Sequence, residues 1–206
     1  MNSKIVNAII SRIANSFDAR IFKSGVVFYS NDLFFSALLI EKSSVIHNFY
    51  VNLFVMPFFV PQDTINLGFG TRIRNHNGIE LWDSRYLNIS DEITQIILSK
   101  HRKYLDVRDL KGFSLLLNDF TADNIYVMEA FAITSILLCD TERGINILDD
   151  LYNKLDSRIK WQNVKREYVN NIRNTVKASN ESFENVIEET KRTSKLTLSK
   201  ILGITL

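Results

Sequence analysis

The chain has 206 residues, 46% hydrophobic and 23% charged, the composition of an ordinary globular protein long enough to bury its own core. Its formal net charge of +2 excludes nucleic-acid recognition through a global field, so any basic surface has to be local. A single cysteine, Cys139, excludes an internal disulfide framework and a cysteine-built zinc site, and it points to a cytoplasmic home.

The chain opens Met1-Asn2-Ser3-Lys4 and passes into an amphipathic helix, without the apolar stretch and small-residue cleavage site of a signal peptide. Ile5, Ile9, Ile13 and Phe17 recur every four residues with Val6 and Ile10 beside them, and Ser3 is the expected cap. Strand patterns follow. Ile21 to Tyr29 is aromatic and β-branched, and Ser30-Asn31-Asp32 is a turn. Leu33 to Ile40 forms a second run and Asn48 to Val60 a third. Both faces of that third run are apolar, which predicts a central strand. Residues 43–62 carry no Asp, Glu, Lys or Arg, but Pro57 and Pro61 would break a membrane-spanning helix, so buried strand is the expectation. In the fourth run Ile65, Leu67, Phe69 and Ile73 alternate with Asn66, Gly68, Gly70, Arg72 and Arg74. Asn75-His76-Asn77-Gly78 then favours a tight hairpin into a short strand over 79–82.

Beyond Asp83 the patterning is helical. Ser90 is the expected cap of a helix carrying Ile93, Ile96, Ile97 and Tyr104, and a second piece spans 107–118. Residues 123–138 and 141–156 read as a helical hairpin. From Ile145 to Leu202 there is no glycine or proline, and Trp161, Val164, Tyr168, Ile172, Val176, Phe183, Val186 and Ile187 keep helical spacing. That predicts one very long helix or two with a slight break near Ser179-Asn180. The expectation is therefore an α+β fold. An N-terminal helix and an antiparallel meander of four to five strands occupy 1–85, and an all-helical region occupies 86–206, either separately or as one continuous domain.

Candidate chemistry is sparse. No Gly-x-Ser-x-Gly, His-Glu-x-x-His or Gly-x-x-x-x-Gly-Lys motif occurs. The three histidines are far apart, and the adjacent carboxylates Asp149-Asp150 and Glu188-Glu189 point to different sides of a helix. The sequence offers no catalytic residue, metal ligand or cofactor site, and the expectation leans away from an enzyme. Cys139, after Leu137-Leu138, reads as a small apolar filler. Gly68-Phe69-Gly70 lacks the third glycine of a dinucleotide fingerprint and sits in a strand pattern. Two glycines there would bare one strand face to internal packing or to a ligand. Gly68, Gly70, Arg72 and Arg74, with Trp82 and Arg85 close in sequence, form the candidate binding surface for an acidic or phosphate group. The alternative is the basic run Lys100, Arg102 and Lys103, which suits nucleic-acid phosphates or simply complements a helix C-terminus. The basic amphipathic end, Lys191 to Leu206, can pack on its own core, self-associate, meet a partner protein or dock on a membrane surface.

Three short pieces carry a resemblance: Phe22 to Tyr29, Glu41-Lys42-Ser43-Ser44, and Phe49-Tyr50-Val51-Asn52-Leu53. In that order, after one helix, they make the first 55 residues similar to a bacterial family known only as a domain of unknown function, some of whose relatives resemble immunity proteins. The abundance of Asn and Ile, 20 and 24 residues, suits the AT-rich coding of a bacterial source. The missing catalytic constellation, the glycine-bared strand face and the long C-terminal helices lead to the expectation of a non-enzymatic protein-binding module, and the resemblance suggests the toxin-immunity or defence-accessory kind. The competing expectation is a nucleic-acid-associated protein.

Overall fold

Helix α1 (Ser3–Phe17) places Val6, Ile9, Ile10, Ile13 and Ala14 on one buried face, as the four-residue spacing requires. The computed structural model describes residues 3–86, 88–121 and 123–206. Asp18, at φ 50°, turns the chain out of the helix. Strands β1 (Arg20–Phe22), β2 (Gly25–Ser30), β3 (Phe34–Lys42) and β4 (Asn48–Pro57) then pair each with the next. Arg20 lies opposite Val27 and Val27 opposite Ala37. The Asn31 side chain closes the β2–β3 turn by accepting from the backbone N–H groups of Leu33 and Phe34, both at 2.8 Å. From Val51 to Met56 every residue of β4 is buried, the mark of the central strand its two apolar faces predicted.

The fourth run departs from its alternation. The Asn66 side chain accepts from the Gly68 N–H at 2.8 Å, and this local bond draws Leu67–Phe69 into a 3₁₀ turn. Strand β5 is only Gly70–Arg72. Gly68 and Arg74 therefore do not extend one strand face with Gly70 and Arg72, as the alternation implied. The Asn75–Gly78 turn forms, with Gly78 at φ 75° and its N–H bonded to the Asn75 carbonyl at 2.9 Å. The strands on either side do not make a hairpin with each other. β5 pairs with β4 at Asn52–Phe54, and β6 (Leu81–Asp83) pairs with β4 at Asn48–Tyr50.

Helix α2 (Ile89–Lys100) begins one residue before the expected cap. Asn88 precedes it without a side-chain cap bond, and Ser90 is buried in the first turn. A short α3 (Lys103–Asp106) follows. Helix α4 (Leu110–Leu117) starts where Asp109 accepts from the Gly112 N–H at 2.7 Å, and α5 (Ile125–Leu137) where Asn124 accepts from the Tyr126 N–H at 2.9 Å. Asp140 caps α6 (Thr141–Lys154). The long helical stretch divides into α7 (Lys160–Ala178) and α8 (Asn180–Leu202) at Ser179, whose extended backbone and hydroxyl, accepting from the Ser182 N–H at 3.1 Å, start the second helix. Of the two expected forms, one long helix or two, the second is observed, with its break at Ser179. Cys139 is exposed at φ 67° rather than filling the core, because it is the left-handed residue that ends α5.

The chain divides into two compact units. Residues up to Met56, Thr64–Val107 and Leu198–Leu206 form one; Pro57–Asp63 and Arg108–Thr197 form the other. In the first, α1 packs on β1, β2 and α2, with Phe17 edge-on to Phe28 at 4.9 Å. In the second, α5 packs on α4 and α6, α6 packs on α7, and Phe59 meets Phe113 edge-on at 5.9 Å.

Candidate functional site

The residues singled out from the sequence sit in the first unit, and most are occupied structurally. Gly70 is needed for close approach: a Cβ there would stand 2.6 Å from the Leu53 carbonyl oxygen and 2.7 Å from Phe54 Cβ. Gly70 thus lets β5 lie close against β4. The Arg72 guanidinium lies 4.3 Å over the Tyr50 ring and pairs with Glu41 at 3.5 Å and Glu80 at 3.7 Å. Arg74 pairs with the same Glu80 at 3.1 Å. Trp82 is 2% exposed, and its indole N–H donates to the Ile73 carbonyl at 2.9 Å. Arg85 grips Asp83, whose carboxyl those hydrogen bonds hold down at about 2. The basic run divides. Lys100 and His101 line a cleft of about 410 Å³ with Arg72, Arg74 and His76, and Glu80 lies among them. Burial and the neighbouring lysines Lys103 and Lys100 hold His101 below its usual pKa. Arg102 pairs instead with Asp106 at 3.4 Å, and the Lys103 ammonium sits 5.8 Å over the Tyr104 ring.

A more developed site lies in the second unit, among residues that no sequence motif marks. Helix α5 is almost wholly apolar, yet it carries Glu129 with no exposed surface. Such a carboxylate is retained only with a partner, and α7 supplies one. Lys165 Nζ stands 2.5 Å from Glu129 Oε2 and 5.0 Å over the Tyr126 ring. The other carboxylate oxygen, Oε1, has no hydrogen-bond partner. Burial pushes the Glu129 carboxyl above its usual pKa, and Lys165 opposes that shift. The Tyr168 hydroxyl, near Thr190, is likewise buried, and desolvation with the Glu129 charge pushes its pKa far up.

These groups line a groove of about 1040 Å³. One wall is the first turns of α7, where Trp161 is 50% and Val164 60% exposed. Further along α7, Val169, Ile172 and Val176 are buried, so the apolar stripe is covered there and left open at its N-terminal end. The opposing residues of α8, Thr190, Thr193, Ser194 and Thr197, recur at helical spacing. Ser194 fixes the neighbouring segment, accepting from the Gln62 N–H and donating to the Val60 carbonyl, each at 3.2 Å. The arrangement offers a buried acceptor among aromatic and aliphatic walls, which is the anatomy of a recognition site. Among the described residues no group of three or more His, Cys, Asp or Glu is placed to hold a metal, and no helix is long and apolar enough to cross a membrane.

No protein-family model matches this chain, and neither a curated protein nor a solved structure does. The class is set by the fold and the groove alone: an α+β protein with a meander in one unit and a helical groove in the other.

Proposed function

We propose that the chain is a non-enzymatic protein-binding module of the bacterial cytoplasm, of the toxin-immunity or defence-accessory kind, and that the α5–α7–α8 groove receives its partner. The observation that carries this reading is the exposed wall of Tyr126, Trp161 and Val164 above a buried ion pair. Aromatic anchors beside desolvated pockets dominate the energy of protein interfaces, whereas a monomer gains nothing by leaving them in water. The resemblance of the first 55 residues to a bacterial domain of unknown function, some of whose relatives resemble immunity proteins, suggests the same class. The nucleic-acid reading ranks second. The cleft gathers Arg72, Arg74 and Lys100, but both arginines are already bonded to Glu80.

The test is pairwise co-expression with each product of the neighbouring genes, followed by calorimetric titration of any complex. Val164→Asp should weaken that complex by about 2 kcal/mol or more, the scale of an interface hot spot. Leu115→Asp, at a 71% exposed leucine outside the groove lining, should leave it unchanged. Monomeric behaviour with every product, or equal binding by both variants, would refute the reading.

A further inference from the structure

The groove's chemistry narrows what enters it. Glu129 Oε1 is an ionisable acceptor with no partner and no exposed surface, so it is incomplete until a donor reaches it. The charge already present decides which donor. Glu129 and Lys165 together are neutral, with Lys165 only 15% exposed. A second cation would be buried beside Lys165 without a counter-charge, and an anion would face the carboxylate. The donor is therefore neutral. Its body is apolar and flat, because Trp161, Tyr126, Tyr168 and Val164 supply the walls. Among protein side chains the indole of tryptophan has this combination of a large aromatic body and a single N–H that donates and never accepts. A volume of about 1040 Å³ exceeds one such side chain and leaves space for the residues flanking it.

Resting on the binding-module reading above, we propose that the groove is a receptor for a tryptophan side chain presented by a partner polypeptide, its indole N–H donating to Glu129 Oε1. Reaching that oxygen requires lining side chains to part, a rotamer change of the sort that interfaces commonly undergo on binding. Lys165 is a positioning residue in this scheme. By occupying Oε2 it leaves Oε1 as the acceptor.

The probe is N-acetyltryptophanamide, compared with its 1-methylindole analogue, which keeps the aromatic body and loses the donor. Each is titrated into the intact protein and followed by the NMR resonances of the Trp161 indole and the Lys165 side chain. In the wild type, methylation should weaken binding by about tenfold to a hundredfold, the worth of one hydrogen bond to a charged group. In Glu129→Gln the two probes should bind alike. Lys165 can only donate, so it claims the amide oxygen and leaves an NH₂ where the acceptor stood. A steric effect of the methyl group would persist in that variant, and its persistence would overturn the proposal. Equal binding of both probes to the wild type also overturns it, while leaving the groove as a docking site. If neither probe shifts the groove resonances, the proposal and the binding-site reading fall together.

Discussion

At the scale of single residues the decisive pair is Glu129 and Lys165. A buried ion pair is weak evidence of stability, because desolvation offsets most of its Coulomb attraction. Removing one partner is another matter. In Lys165→Met the Glu129 carboxyl loses the charge that opposes its desolvation, so its folded-state pKa rises further above the ordinary 4.5. The unfolded chain then releases its proton near that ordinary value while the folded chain holds it. Because the wild-type carboxyl is itself raised, the two proteins lose stability in parallel until pH passes the wild-type value; above it the variant alone goes on losing, by up to about 1.4 kcal/mol per unit, until the added deficit reaches about 3–5 kcal/mol. Urea denaturation of both proteins at several pH values checks this, and a deficit independent of pH would contradict it. The sequence held one half of the signal, a lone carboxylate in the apolar run Ile125–Leu137. It could not reveal the other half, because Lys165 lies 36 residues away and meets Glu129 only through helix packing.

At the scale of elements, local chemistry decided what could be read. The β2 to β4 strands and the break at Ser179 follow from alternation, turn residues and loss of helical phase, which act within a few residues. The 65–70 run misled because one side-chain bond, Asn66 to Gly68, outcompeted an alternation with no ladder to enforce it. The α7 stripe was legible as a helix, but periodicity reports an apolar face and not whether anything covers it. Gly144 makes a related point about α6. In an open helix, alanine would be better than glycine by about 1 kcal/mol. Here an added Cβ would meet the Ile136 side chain and the Ala132 carbonyl oxygen, the latter at 2.8 Å, so α5 and α6 must separate. Overpacking of that kind costs about 1–3 kcal/mol, and Gly144→Ala should destabilise the protein despite its better propensity. Thermal unfolding decides, and a raised Tm would show that the crossing has slack.

At the scale of the whole molecule, the change from strands to helices near Asp83 does not mark where the chain can be cut. Helices α2 and α3 group with the sheet, and so does the C-terminal segment from Leu198. That segment is anchored in the first unit. Leu202 is 3% exposed, and Lys200 to Ile204 line a cavity with Asn7, Ile10 and Phe22. The Arg20 guanidinium donates to the Thr205 carbonyl at 2.6 Å. The second unit in turn needs Pro57–Asp63, where Phe58 and Phe59 have no exposed surface. Each unit is thus assembled from pieces distant in sequence. A fragment ending at Val107 would leave the cavity beside α1 open and carry Phe58 and Phe59 without the helices that bury them. Loss of one buried leucine alone costs about 2–5 kcal/mol, against a total stability of about 5–15 kcal/mol for a domain. The 1–107 fragment should therefore lack a cooperative thermal transition and bind hydrophobic dye, whereas the full chain unfolds cooperatively. A well-dispersed NMR spectrum from that fragment would mean that the sheet unit closes its core without the C-terminal segment.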